Sequence, residues 1–260
     1  MSGHIKLERA GNVARLVLDN PGKHNAMNRR MWVELSDHMS DLSNDTDLRC
    51  IILTGAGDKA FGSGGDIDEF ETERGTRAQA EAFGADCHKA MSAVMSSPVP
   101  TLAAIKGICV GGGLELAAHC DLRIARSDSR FAIPIARLGA VLAYPEMQGL
   151  LRLVSSSTAL ELLLEARTMD ANEAMLKGLV NRVISAEVFD EELEKTVERI
   201  VNNAPMSART HKRFIERLRS AHLELSVDEL AEGYVCFDSK DYAVGYRSFL
   251  AKTRAQFQGN

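Results

Sequence analysis

In HIKLERAGNVARLVLDN (residues 4–20) apolar and polar positions alternate on both sides of Gly11-Asn12, which predicts a β-hairpin. The period then changes. Met27, Met31, Leu35, Met39 and Leu42 recur at spacings of three and four in AMNRRMWVELSDHMSDLSND, the signature of an amphipathic helix. LRCIILTGAG (48–57) is continuously apolar before its glycines, as a strand buried on both faces would be. A helical stretch over roughly 76–96 stops at Pro98 and Pro100. TLAAIKGICV then reads as a strand, three glycines intervene, and LELAAHC resumes a helical pattern. DLRIARSDSRFAI predicts two more short strands, and SSTALELLLEART a helix with a serine cap. In MDANEAMLKGLVNRVI, Asp170 is expected to cap a helix, with Glu173 in capping-box position and Gly178 at its end.

Beyond about residue 200 no strand pattern is left. APMSARTHKRFIERLRSA, SVDELAEGYVCF and DYAVGYRSFLAKTRAQF predict three helical segments. The chain thus divides into a strand-rich part, 1–200, and a helical tail, 201–260. Repeated short β-β-α units predict an α/β core that is not a simple doubly wound sheet.

Composition narrows the partners. The 260 residues, 45% hydrophobic and 26% charged, suffice for one large or two modest domains with a sizeable core. A formal net charge of −5 disfavours nucleic acid as a main partner. The most basic stretch, RTHKRFIERLR (209–219), contains Glu216 and helically spaced apolar residues, and reads as a solvated helix face. No run is long enough to span a bilayer, and the amino terminus has no apolar targeting core. Cys50, Cys87, Cys109, Cys120 and Cys236 are odd in number and never paired as C-x-x-C, so reduced, buried thiols of a cytoplasmic protein are expected. His119, Cys120 and Asp121 are adjacent, but consecutive residues rarely point at one ion, so no metal site is expected.

The chemistry concentrates in KGICVGGGLELAAHCD (106–121), where three glycines precede a glutamate in an apolar run. Leu116 stands where a dinucleotide fingerprint needs its third glycine, and no Gly-Lys-Ser/Thr follows to make a P-loop. The hydrolase elbow G-x-S-x-G is missing too, because Phe61 stands two residues before Ser63. A backbone N–H aimed at a small anionic atom remains, and a second glycine-rich turn, KAFGSGGDIDEF (59–70), offers a second donor. Two tight turns with positive φ and no ligand remain an alternative. Glu115, among Leu114, Leu116, Ala117 and Ala118, should have a raised pKa suited to proton transfer, unless it only complements the helix dipole.

AFGSGGDIDEF followed by IKGICVGGGLELAAHCDLRIA resembles the enoyl-CoA hydratase/isomerase, or crotonase, family, whose turns read F-x-x-G-x-D-[IL] and G-x-x-x-G-G-G-x-E-[LF]. The likeness extends through NPGKHNAMN, LLLEARTMDANEAMLKGLVNRVI and VGYRSFLAKTRAQF, nearly the whole chain. It implies a spiral of β-β-α units, a C-terminal helical trimerisation region, and a homotrimer or dimer of trimers. It implies an acyl-CoA thioester as substrate, with no cofactor beyond the CoA that the substrate carries. It also implies that the N–H groups of Gly65 and Gly112 hold the thioester oxygen, close enough to exclude a Cβ, and that Glu115 is a catalytic acid/base. Ser63, Gly64, Asp66 and Ile67 of the first turn become substrate-binding candidates, as do Lys23 and Ala26 around the nucleotide. Lys252 and Phe249 are further candidates for CoA; Phe83, Met91 and Met95 are candidates for the acyl pocket or plain core.

One position departs from the family pattern. Hydratases carry a second glutamate in F-G-x-P-E, and FAIPIARLG (131–139) has Ile135 there. Tyr144 or Glu146 could fold back to replace it. Three readings stay open: a hydratase or related lyase, a double-bond isomerase working with one carboxylate, and a non-catalytic binder of CoA thioesters or RNA.

Overall fold

A computed structural model describes residues 3–220, 226, 228 and 239–259. The hairpin forms as β1 (His4–Ala10) and β2 (Val13–Asp19), paired antiparallel from His4↔Asp19 to Ala10↔Val13. Asn28 caps α1 (Arg29–Ser43) by accepting from the Met31 N–H. The chain then repeats one pattern three times. A strand of a large sheet is followed by a strand of a small sheet and then by helix: β3 (Cys50–Gly55), β4 (Ala60–Gly62), α2 (Phe70–Arg74) and α3 (Arg77–Ser96); β5 (Thr101–Ile105), β6 (Ile108–Val110) and α4 (Gly112–Ala118); β7 (Leu122–Arg126), β8 (Arg130–Ala132), α5 (Tyr144–Leu151) and α6 (Ser156–Glu165). After β9 (Met169–Asp170) and α7 (Ala171–Leu176), β10 (Arg182–Ile184) closes a six-stranded sheet of order β1-β2-β3-β5-β7-β10. The smaller sheet runs β4-β6-β8-β9. This is a β-β-α spiral, the α/β class that the sequence predicts.

TLAAIKGICV is two strands rather than one. The chain breaks at Lys106-Gly107 to pass from the large sheet to the small one. Gly107 takes φ +62°, and any Cβ there would collide with the Lys59 carbonyl.

β3 explains its unbroken apolar run. Ile51 and Leu53 face the main core with Met31, Leu35, Phe61 and Leu114, while Cys50 and Ile52 face Phe189, Leu193 and Val197 of α8 (Phe189–Val201). Cys50, Cys87, Cys109 and Cys120 are buried and free, and burial pushes their thiols up. Cys236 lies outside the described residues. Asp170 caps α7 through the Glu173 N–H, but the Glu173 carboxylate pairs with Arg167 and Lys177 instead of closing a capping box.

The basic stretch 209–219 is less solvated than its charge suggests. On α9 (Pro205–Ser220), Arg209 donates to the carbonyls of Asp45, Thr46 and Leu48, and Lys212 donates to the Val99 carbonyl at 2.9 Å and pairs with Asp121. The expected helix SVDELAEGYVCF lies outside the described residues, Ser226 and Asp228 apart. The last helix, Lys240–Ala251, ends earlier than DYAVGYRSFLAKTRAQF predicts: Lys252 takes φ +56°, and the Gln258 and Gly259 N–H groups donate back to Asp241.

Candidate active site

The two glycine turns pack against each other. Gly64 takes φ +109°, a conformation that side chains rarely adopt, and a Cβ on Gly64 would stand 3.9 Å from the Gly112 nitrogen. Gly111 takes φ +50°, and its Cβ would meet the Gly64 Cα at 3.4 Å. A Cβ on Gly113 would collide with the Gly62 carbonyl, whose carbon would be 2.8 Å away. On Gly112 it would press on the buried Trp32 ring at 3.2 Å. Gly111 and Gly113 are therefore crowded by the opposite turn and Gly112 by Trp32, within the protein itself. Their closeness is what sets the two backbones side by side.

Parallel bridging fixes the first turn. The Met27 N–H donates to the Gly64 carbonyl at 2.8 Å, and the Asp66 N–H to the Met27 carbonyl at 2.9 Å. That pattern leaves the Gly65 N–H between them without a backbone acceptor among the described residues. Gly112 opens α4, so its N–H is one of the unpaired donors of a helix start. At the other end of α4 the buried Arg123 donates to the carbonyls of Cys120 at 2.6 Å and Ala117 at 3.4 Å, where a cation favours the helix dipole.

Glu115 is one turn into α4 and 8% exposed. Burial is the main cause that raises its pKa, to about 8; the nearby charge of Glu146 adds to the rise and that of Arg74 opposes it. Among the described residues its carboxyl has no hydrogen-bond partner, so proton transfer is not blocked by a structural bond.

Glu146, in the first turn of α5, is near enough for its charge to act on Glu115. Its Oε2 accepts the Ala143 N–H at 2.6 Å, and its Oε1 lies 3.3 Å from His88 Nε2 on α3. Tyr144 is 91% exposed and does not fold back. Ile135 packs against the core from the 3-10 turn Pro134–Leu138. Where a second glutamate would stand by sequence, a hydrophobic side chain stands; Glu146, whose charge acts on Glu115, is eleven residues further on. His119 ties α4 to α5: Nδ1 is 2.7 Å from the Glu115 carbonyl and Nε2 3.3 Å from the Pro145 carbonyl. Gly149 makes room for that ring, since a Cβ there would lie 2.6 Å from Nδ1.

The turn NPGKHNAMN lines the same region. Asn25 holds it by donating to the carbonyls of Ala56 and Ala60, and Ala26 is buried. Lys23 is partnered within the protein, its Nζ 2.7 Å from Asp66 Oδ2 and 2.7 Å from Asp68 Oδ2. Ser63 donates to the Lys23 carbonyl, and Ile67 is 72% exposed beside it. Phe83 and Met91 are buried in the core, while the Met95 sulfur accepts from Arg152 at 2.9 Å. Lys252 is exposed beyond the last helix, and nothing is described of the Phe249 side chain. Among the described residues no cluster of His, Cys, Asp and Glu could hold a metal ion.

Arg74 and His88 went unmarked in the sequence, and His119 was weighed there only as a metal ligand. Arg74 ends α2 with its guanidinium carbon 3.7 Å from the Phe83 ring centroid and 4.7 Å from that of Phe70. No motif marks Arg74 or His88, whereas His119 lies inside KGICVGGGLELAAHCD, where its bridge to α5 has no local signal.

The match to known proteins runs the length of the chain. A sequence model described as Enoyl-CoA hydratase/isomerase fits residues 8–260. A short-chain-enoyl-CoA hydratase of Clostridium acetobutylicum is 31% identical over 97% of both chains. A crotonyl-CoA hydratase of Syntrophomonas wolfei is 32% identical over 98% of this chain and 97% of its own. The crystal structure of an enoyl-CoA hydratase/carnithine racemase from Magnetospirillum magneticum superposes with a TM-score of 0.96 at 43% identity, covering 98% of this chain and 96% of that one. With the two glycine turns, the helix-borne glutamate and the β-β-α spiral in agreement, the chain belongs to the enoyl-CoA hydratase/isomerase family.

Proposed function

We propose that this protein hydrates 2-enoyl-CoA thioesters with the carboxyl groups of Glu115 and Glu146. The observation that carries the reading is a buried Glu115, one turn into the helix that the paired glycine turns open, with the charge of Glu146 acting on it. The unpaired N–H groups of Gly65 and Gly112 receive the thioester oxygen, and a dry site makes such donors worth several kcal/mol, roughly 3–4 for one donor. Glu146 takes a proton from water as the water oxygen bonds to C3. The C2–C3 π electrons move onto the thioester as an enolate, and Glu115, protonated at neutral pH, delivers its proton to C2. Glu146 then returns its proton to Glu115, so one water is added and both groups are restored. The four substrate-binding candidates Ser63, Gly64, Asp66 and Ile67 lie on the first turn, and the Lys23–Asp66 pair would open or turn outward to receive CoA.

The chemistry asks for no cofactor beyond the CoA of the substrate. The division into a spiral core, 1–200, and an oligomerising tail, 201–260, accompanies this reading, as does assembly into a trimer or dimer of trimers in the cytoplasm. Leu138, Val141, Leu164 and Leu176 are large apolar side chains left exposed on the single chain, and burial between subunits would cover them. No described helix is long and apolar enough to cross a membrane.

Loss of enoyl absorbance from crotonyl-CoA in the presence of the protein tests the reaction. Conversion of a 3-enoyl thioester with no hydration of crotonyl-CoA would replace hydration by isomerisation.

A further inference from the structure

Apart from Glu115, the acids flanking this site are committed, and among the described residues a cation beside them is not. Glu73 and Asp86 hold Arg29 at 2.8 and 2.7 Å, and Glu69 accepts the Arg29 N–H at 2.8 Å. Asp66 and Asp68 hold Lys23, and Glu146 is engaged by Ala143 and His88. Arg74, in their midst, makes no hydrogen bond and no ion pair among the described residues. Two aromatic faces hold it instead, those of Phe83 and Phe70. The charge of Arg74 reaches Glu115 from beyond ion-pair distance and opposes the rise that burial gives that carboxyl.

Its position gives it a task. A Cβ on Gly65 would stand 2.9 Å from Arg74 Nη2, so the guanidinium lies against the turn that receives the thioester oxygen in the reading above. That is the acyl end of a bound thioester, not the nucleotide end. A guanidinium presents five N–H donors in a planar fork that fits a carboxylate with two parallel bonds. Stacked in place with those donors unused, it pays little to be ordered when such a group arrives. The geometry points to Arg74 as the residue that recognises a carboxylate on the acyl moiety, so that the preferred substrates are CoA thioesters whose acyl chain ends in a second carboxyl group. This inference rests on the proposed CoA-thioester site and adds the substrate class to it.

Binding, independent of turnover, tests it. Calorimetric titration of the full-length protein with glutaryl-CoA, valeryl-CoA and free CoA separates the contributions, because the two acyl groups have equal carbon counts and only one has a distal carboxylate. Wild type is expected to bind glutaryl-CoA about tenfold or more tighter than valeryl-CoA, as suits one charge-assisted pair. In Arg74→Met that ratio should fall to about one or below, and Arg74→Lys should keep part of it as a point charge without the fork. Circular dichroism checks the fold of each variant, with Arg74→Gln as the substitute if the methionine variant does not fold. Equal affinities in wild type overturn the inference, as does an Arg74→Met variant that loses both thioesters and free CoA alike. Failure of wild type to bind any of the three removes the CoA-site reading itself, and this inference with it.

Discussion

Glu115 keeps its proton to about pH 8, against an ordinary value of 4.5, because water is excluded from it. The folded chain therefore binds this proton more tightly than the unfolded one, and unfolding releases it between those two values. Stability from this source is fully present below about pH 4.5 and is lost as pH rises through 8, by on the order of a few kcal/mol. Glu115→Gln removes the titration. Its melting temperature should exceed that of wild type at about pH 9, and the gap should close towards pH 5; parallel melting curves across that range would show that the carboxyl is solvated. The same variant should lose about 10² to 10⁴ in hydration rate while acyl-CoA binding survives. Glu146→Gln should lose turnover on the same scale, because Ile135 offers no replacement carboxylate. Crotonyl-CoA hydration by that variant within about tenfold of wild type, or roughly 1.4 kcal/mol of barrier, would remove Glu146 from the mechanism.

At the scale of elements, the site depends on how closely two turns and two helices approach. Gly113 separates two meanings of the glycines: its side chain would strike the Gly62 carbonyl, whereas one on Gly112 would meet only the edge of Trp32. Gly113→Ala should therefore part the turns and lose more stability and more thioester affinity than Gly112→Ala, which thermal melts and titration with an acyl-CoA can compare. His119 and Gly149 set α5 against α4, and so set Glu146 against Glu115. Gly149→Ala forces the imidazole or the helix to move, and kcat should fall about tenfold or more while KM changes little. A rise in KM with kcat intact would mean that the contact shapes the pocket but does not place the carboxylates. α8 is strongly amphipathic, as FDEELEKTVERIV shows once its apolar face is seen on β3, yet the strand-rich reading of residues 1–200 passed over it.

For the whole molecule, the tail is tied to the core through polar contacts: Arg209 at the carbonyls after α1, Lys212 at Val99 and Asp121, and Arg49 at the carbonyls of Val201 and Phe257. The large apolar side chains left in solvent around α5, α6 and α7 have no such cover within one chain. The protein should accordingly behave as a trimer or dimer of trimers. Light scattering at about micromolar concentration reads this directly, and a monomeric mass would leave those side chains as plain surface.

Much of the site was legible in the chain because its signals are local. Alternation gave the hairpin, a spacing of three and four gave α1 and α3, and φ-permissive glycines beside a buried glutamate gave both turns and Glu115. Burial of Glu115 followed from its apolar neighbours alone, and so did the direction of its pKa. The division of TLAAIKGICV between two sheets did not follow, since a sheet is chosen by distant partners, here β3 and β7 on one side and β4 and β8 on the other. The crowding partner of each glycine likewise lies on the opposite turn. Nor could the sequence select Glu146 over Tyr144: both sit in one turn of α5, and only the packing of that helix through Gly149 onto His119 turns one inward and leaves the other in water. Arg74 has the same history. Its freedom is a property of which carboxylates Arg29 and Lys23 have already taken, and that competition exists only in three dimensions.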